Sequence, residues 1–355
     1  MNSEAKFKPT GHRRPGHRPR QYEQAEFTEL ELLFNRWQRE VEDIKSYGLD
    51  RLDKLYDGAD HLVRPIFKEH YYSKNEEPPY TLSDVDELIR KCRDFKDVGI
   101  FASILLNYIP EEEIVLDFDF PINHLGYRFL DRRMFIGTPC IALKRNGMLI
   151  NNGVVGDGFG RSGDGGIINY GIAGNDMGDA SNGVVINFGE AERDLACGRG
   201  GVVANYGMAG ARMHTIGGYA FNFGEVDGNA SEFWGYFINC GVIKKTLKKA
   251  GGGGGVLVNL TPSTDIHFPS GDTCLRIETK EQCEKVPGLL EEIYNVKERL
   301  SEQKYKQTIW DNIAENGFLA TYSPEGRKCG LKNKLNELFD AAREVLKLDG
   351  GTRVE

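Results

Sequence analysis

Several large classes of protein are excluded by what this sequence lacks. No run of ~18 uncharged apolar residues, the minimum for a membrane-spanning helix, occurs anywhere in the 355 residues. The opening stretch, Met1-Asn-Ser-Glu-Ala-Lys-Phe-Lys8, has no apolar core of the secretory kind. The expectation is a cytoplasmic protein with no membrane partner. Seven cysteines, at 92, 140, 197, 240, 274, 283 and 329, include no Cys-x-x-Cys pair. That spacing argues against a zinc site and against a disulfide framework, and it leaves reduced, mostly buried thiols. Histidine is scarce, and only His214 falls within the repeats described below; a lone histidine there is more often structural than catalytic.

What the chain does have is charge, unevenly placed. The net charge is −8, yet residues 1–20 carry Lys6, Lys8, Arg13, Arg14, Arg18 and Arg20 against Glu4 alone, a balance of +5 that leaves −13 for the remainder. Pro9, Gly11, Pro15, Gly16 and Pro19 deny this stretch a helix or a strand. It reads as a basic flexible arm on an acidic body, able to order on a polyanion. A second basic cluster, Lys244, Lys245, Lys248 and Lys249, precedes a run of glycines; it is either a phosphate contact or a solvated loop.

Hydrophobic residues make up 40% of the chain, enough to fill real cores. Residues 21–130 read as a mainly helical domain with a short β segment. Phe27, Leu30, Phe34, Trp37, Val41 and Ile44 fall on one face of a first helix; Leu52, Leu55, Leu62 and Ile66 mark a second; Ser83-Asp84-Val85-Asp86 opens a third. Ile114, Leu116, Phe118 and Phe120 alternate as in a half-buried strand. Residues 271–355 read as a C-terminal helical region, with Pro287 opening one helix and Leu331 to Leu346 forming the last.

The middle, residues 131–270, is built on a repeat. Asn151, Asn169, Asn187, Asn205, Asn222, Asn239 and Asn259 are spaced 18, 18, 18, 17, 17 and 20 residues apart, and each has a glycine four positions earlier. The first six also have a glycine two positions later, and the seventh has Thr261. The residues before each asparagine, such as Val-Val-Ile or Tyr-Phe-Ile, are strand formers. This predicts a parallel β-helix of seven coils of about 18 residues over 147–261, flanked by helices in an α+β chain. Glycines sit where the coil turns or crowds, and the stacked asparagines form an amide ladder.

Both faces of the predicted strands are apolar. One carries Leu149, Ile167, Val185, Val203, Ala220, Phe237 and Leu257, the other Ile150, Ile168, Ile186, Ala204, Phe221, Ile238 and Val258. Only one can line the lumen, so the other needs a cover. The residue after each asparagine extends the second face with an aromatic stack, Tyr170, Phe188, Tyr206 and Phe223. The cover is either the chain's own helices or a second copy, and in the second case these four aromatics form the interface.

No motif assembles a catalytic centre. Gly158-Phe-Gly-Arg-Ser-Gly163 matches a dinucleotide fingerprint but lies between two strands with no helix to follow, so it reads as a turn. Gly251–Gly255 lacks the Lys-Ser or Lys-Thr of a phosphate loop. Asp157, Asp164, Asp176, Asp179 and Asp194 shift position from coil to coil and read as solvated turn residues, not a calcium site. The aliphatic every-sixth-residue pattern of hexapeptide acyltransferases is absent. The expectations are no enzyme activity, no cofactor, no metal and no small-molecule substrate.

Coils of the Gly-Val-Val-Ala-Asn-Tyr-Gly type resemble the GXGXG β-helix domain found in the large subunit of glutamate synthase and in formylmethanofuran dehydrogenase. There the domain is a scaffold, which implies an alternative role as a scaffold subunit of a multi-enzyme complex. The order of the whole chain, basic arm, helical domain, solenoid and helical tail, resembles that of the archaeal ribosome dimerisation factors. That likeness implies a non-catalytic homodimer that binds ribosomal RNA and proteins of the small subunit and joins two small subunits in a dormant, hibernating state. The basic arm and the lysine cluster are then the RNA contacts.

Overall fold

The asparagine repeat is the spine of the molecule. A computed structural model describes residues 28–42, 44, 48–67, 80–95, 97–109, 113–128, 147–162, 165–179, 183–197, 201–215, 217–231, 235–248, 255–261, 265–267, 274–309 and 330–348. Each asparagine ends a four-residue strand, from Met148–Asn151 to Val256–Asn259, and all seven pair in parallel with the asparagines in register. Glu113–Leu116 adds an eighth strand at one edge and Leu275–Ile277 a ninth at the other. This is the first face of a β-solenoid. A second face has six two-residue strands, from Val154–Val155 to Val242–Ile243, and a third has five, from Asp194–Cys197 to Asp265–His267.

The repeat therefore overcounts. Seven full coils are expected, but the solenoid makes about five turns, and the first two asparagine coils lack a strand on the third face among the described residues. In its place, residues 122–128, 157–162 and 175–179 trace stacked arcs with left-handed residues at alternate positions: His124, Gly126 and Arg128; Gly158, Gly160 and Ser162; Asp176 and Gly178. A strand cannot hold that backbone, and glycine takes it at four of the eight positions because an L side chain is strained there. The arcs still bond coil to coil, with His124 N–H donating to Asp157 O at 2.6 Å and Gly158 N–H to Asn175 O at 2.7 Å. Leu125, Phe159 and Met177 point inward and meet Leu195 and Met213, so the third wall of the lumen stays continuous and buried.

Inside the wall the ladder is complete. Each asparagine Nδ2 donates to the Oδ1 of the next, at 2.7 to 3.0 Å over six steps. The first five of these amides also reach a second-face carbonyl one coil on, as Asn205 does to Glu225 O at 2.9 Å. The glycines that follow the asparagines are there for space. A Cβ at Gly207 would lie 2.1 Å from Gly189 O, and one at Gly189 would lie 2.1 Å from Gly171 O. At the last coil the hydroxyl of Thr261 donates to Gly241 O at 2.6 Å.

Four helices close the first end: α1 (Glu29–Val41), α2 (Gly48–Phe67), α3 (Leu82–Lys91) and α4 (Val98–Tyr108). Thr28 caps α1 and Thr81, not Ser83, caps α3, each in a reciprocal capping box. The helix α4, unmarked by any periodicity, is buried almost throughout and is the centre of this end. Its Ser103 donates to His124 O and accepts from Tyr127 N–H, both at 3.1 Å, which docks the first arc on the helix. Phe34, Trp37 and Phe101 are continuous with Leu149, Val155 and Phe159, so helices and lumen share one core. The C-terminal helices α5 (Lys280–Glu284), α6 (Leu289–Arg299) and α7 (Gly330–Leu348) lie against the first face.

An interior rung should matter more than an end rung. Asn205→Ala removes the acceptor of Asn187 and the donors to Asn222 and to Glu225 O, at an expected cost of ~2–4 kcal/mol. Asn259→Ala, at the last rung, should cost about half as much. Urea unfolding midpoints check this, and equal losses at the two positions would show that the ladder does not act rung by rung.

Candidate functional site

The three outer faces of the solenoid differ in what they offer a partner. On the first face, Ile150, Ile168, Ile186, Phe221, Ile238 and Val258 are buried under Leu289, Ile293 and Val296 of α6 and Leu335, Phe339 and Ala342 of α7. The aromatic stack forms as expected, with ring centroids 5.1 Å apart from Tyr170 to Phe188, 5.2 Å to Tyr206 and 5.0 Å to Phe223. It is not bare, however. Tyr170 donates its hydroxyl to that of Tyr305 at 3.1 Å, Tyr206 donates to the Lys297 carbonyl, and the Lys297 ammonium lies 5.5 Å over the Phe223 ring. Of the two covers expected for this column, the chain's own C-terminal residues Tyr305 and Lys297 pack on it. An intramolecular cover needs no loss of translational freedom, which a second copy would have to overcome.

The same layer holds Cys240 and Cys283. Burial pushes the Cys240 thiol up to about 12 and those of Cys283 and Cys92 up to about 11. Such thiols stay protonated and inert at neutral pH.

Where the helical end meets the solenoid, a polar seam runs through the arcs. Arg51 holds Asp97 with two hydrogen bonds, 3.0 and 2.7 Å. Close by, His124 is packed against Gly158, its Nδ1 buried without a partner. Asp157 accepts from the backbone and side chain of Asn175 at 2.8 and 2.9 Å. Arg161 bridges Asp176 at 3.4 Å and Asp179 at 2.5 Å, and His214 Nε2 lies 4.0 Å from Asp179. Arg212 grips Asp194 at 2.6 and 2.9 Å. Asp157, Asp176, Asp179 and Asp194 are therefore not the solvated turn residues expected from their drifting positions; they are tied into the structure, and Asp194 is buried. Asp164 lies outside the described residues. Gly158 to Ser162 does form a turn, with Phe159 buried in the lumen.

Electrostatics along the seam follow from burial and neighbours. Burial, reinforced by the Arg161 charge, lowers the His124 pKa. Burial raises that of Asp176 despite Arg161. At Asp194 burial works upward, but the Arg212 hydrogen bonds prevail and hold the carboxyl below its ordinary value.

Of the expected RNA contacts, two are placed in full. Lys244 pairs with Glu225 and, at 3.1 Å, with Asp227, so its charge is already answered; Lys245 is exposed. Lys248 stands on a third-face strand in register with Ser231 and His267. The side chain of Lys248, all of Lys249, and Lys6, Lys8, Arg13, Arg14, Arg18 and Arg20 lie outside the described residues. Among the described residues no trio of histidine, cysteine or carboxylate side chains is arranged to hold a metal ion, and no helix is long and apolar enough to cross a membrane. Compared with family models, with curated proteins and with solved structures, the chain matches none.

The lowered pKa of His124 sets a pH dependence. A histidine that protonates less readily folded than unfolded contributes its full stability above the ordinary value of 6.5, and that contribution is lost as pH falls from there toward its folded value. The stability of the protein should therefore drop as pH falls below 6.5, and His124→Gln should flatten this part of the curve. Chemical denaturation at a series of pH values checks it; an unchanged slope in the variant would clear His124 of the effect.

Proposed function

We propose that this protein is a non-catalytic ribosome-binding factor that homodimerises and holds small ribosomal subunits in a dormant state in the cytoplasm. The observation that carries the reading is charge segregation: +5 in the first twenty residues on a body of −13. Phosphate contact is then concentrated on the arm, with the lysines at 244–249 as the second point, because the remainder carries a net negative charge. The likeness of the chain order to the archaeal ribosome dimerisation factors names the polyanion as ribosomal RNA. With the first face taken by α6 and α7, self-association falls to another surface. A solenoid closed at one end by α1 to α4 and braced along one face by α6 and α7 is a stiff spacer, suited to fixing the distance between two bound particles.

A second reading follows from the seven-fold glycine and asparagine pattern, which resembles the GXGXG scaffold domains. In it the protein is a scaffold subunit of a multi-enzyme complex, and its bare faces receive enzyme subunits instead of a ribosome.

Co-sedimentation at low salt separates the two. The purified protein should travel with small ribosomal subunits and shift part of them to a dimer peak, and the binding should weaken steeply with salt. Deleting residues 1–20 should remove most of the affinity and reduce the salt slope by up to six phosphate contacts. Failure to co-sediment, with a stably co-purifying enzyme subunit instead, would leave the scaffold reading.

A further inference from the structure

The second face of the solenoid carries an unassigned surface. Its strands turn Val155, Ala173, Ala191, Ala209, Val226 and Ile243 inward, and all six are buried. The outer side is built of rows of two residues, in which Gly156 and Gly174 are buried. In order along the solenoid they are Val154 with Gly156, Ile172 with Gly174, Glu190 with Glu192, Met208 with Gly210, Glu225 with Asp227, and Val242 with Lys244. From Ile172 to Val242 apolar and acidic rows alternate. Ile172 is 40% exposed and Val242 47%, large values for aliphatic side chains in strands. Among the described residues no helix packs on it. Glu190 and Glu192 pair with no cation there, and Lys244 answers only the far row.

We infer that this face is the docking surface of the chain's own basic arm, with Arg13, Arg14, Arg18 and Arg20 set against Glu190, Glu192, Glu225 and Asp227. Three observations converge on that occupant. Charge is complementary: four arginines face four carboxylates of which Lys244 answers two, and the arm carries +5 in twenty residues of an acidic chain. The prolines between the arginines, Pro15 and Pro19, would offer apolar surface to Ile172 and Met208.

The root of the arm is also in the right place. In the first turn of α1, Glu31 pairs with Lys91 of α3 at 3.5 Å. Next to Lys91, Arg90 lies 5.2 Å over the Phe118 ring, and Phe118 O accepts the N–H of Val154, the first row of the face. From Thr28 back to the arginines, eight to fifteen extended residues reach about 25–50 Å. The acidic rows lie only about 10 and 20 Å beyond Val154 at the strand spacing of a sheet.

Docking makes the arm a latch. Bound to the second face, its arginines are neutralised, and a polyanion must displace the face to take them. The latch depends on the charge of the arm and not on the ribosome reading, so it is tested without nucleic acid.

The probe is full-length protein with the photo-crosslinking residue p-benzoylphenylalanine at position 208, the centre of the face. Irradiation should yield an adduct within the same chain, mapped by mass spectrometry to residues 9–22. The adduct should fall about tenfold when the four carboxylates are neutralised by Glu190→Gln, Glu192→Gln, Glu225→Gln and Asp227→Asn, or when salt is raised to roughly 0.5 M. The same crosslinker at Asn229, on the third face, is the control, and a thermal melt verifies that each variant is folded. Adducts from position 208 to any other segment, adducts only between isotopically distinct copies, or none at all would overturn the latch. Loss of ribosome co-sedimentation with the adduct intact would sink the ribosome reading and leave the latch standing.

Discussion

Everything in the solenoid answers to the buried amide ladder. An asparagine side chain has one acceptor and one two-proton donor, and in a dry wall both must be used. Stacking the residue on copies of itself at strand spacing satisfies them along the axis, and the second donor proton finds a second-face carbonyl. That arrangement sets the pitch of every coil and the corner between the first and second faces. It also sets the glycines, because the chain after the corner runs within 2.1 Å of where a Cβ would sit. A rung without its neighbours would be a buried polar group with no partner, which makes the stack cooperative.

This explains which parts of the fold were readable in the sequence. A residue repeated for one physical reason leaves a period, so the ladder, the lumen column and the outer apolar column were all legible by position. The number of turns was not, because asparagines mark only the first corner. At its first end the third wall is held by Leu125, Phe159 and Met177 on left-handed arcs, and those arcs have no repeating signature beyond scattered glycines. The helix α4 escaped notice for the opposite reason: Val98 to Asn107 are buried on all sides, and a segment with no polar face shows no helical period. The polar seam was missed because its carboxylates serve different partners in each coil, Asn175 for Asp157, Arg161 for Asp179 and Arg212 for Asp194. Drift in position suggested solvation; in the structure it reflects bespoke pairing.

The two apolar faces of one strand set a second constraint. A solenoid strand with Leu149 inward and Ile150 outward cannot be soluble by itself, so the C-terminal helices are part of the solenoid's folding unit. Their register on it is specified by polar contacts at the edges of the apolar layer. Tyr206 reaches the Lys297 carbonyl, Tyr219 reaches Asn336, and Lys334 pairs with the buried Glu292 at 2.8 Å between α7 and α6. A purely greasy cover could slide along a face that repeats every coil. These off-centre bonds break the translational symmetry that the repeat itself creates.

With one face covered by helices and one end closed by α1 to α4, the surfaces left for partners are the ones the repeat does not standardise. On the second face, coil-specific residues replace one another at fixed positions: Ile172, Glu190, Met208, Glu225 and Val242 occupy equivalent sites 17 or 18 residues apart. An inward residue is constrained by its stack, whereas an outward one is constrained only by what binds it. Alternation of acid and aliphatic at sites that could all have been neutral polar residues is difficult to derive from folding. Four carboxylates on one strip of parallel strands repel one another across the coils and, among the described residues, are answered there by a single lysine. A fold that tolerates such repulsion beside exposed aliphatics gains from a basic segment lying on both, and the chain carries such a segment at its own first residues.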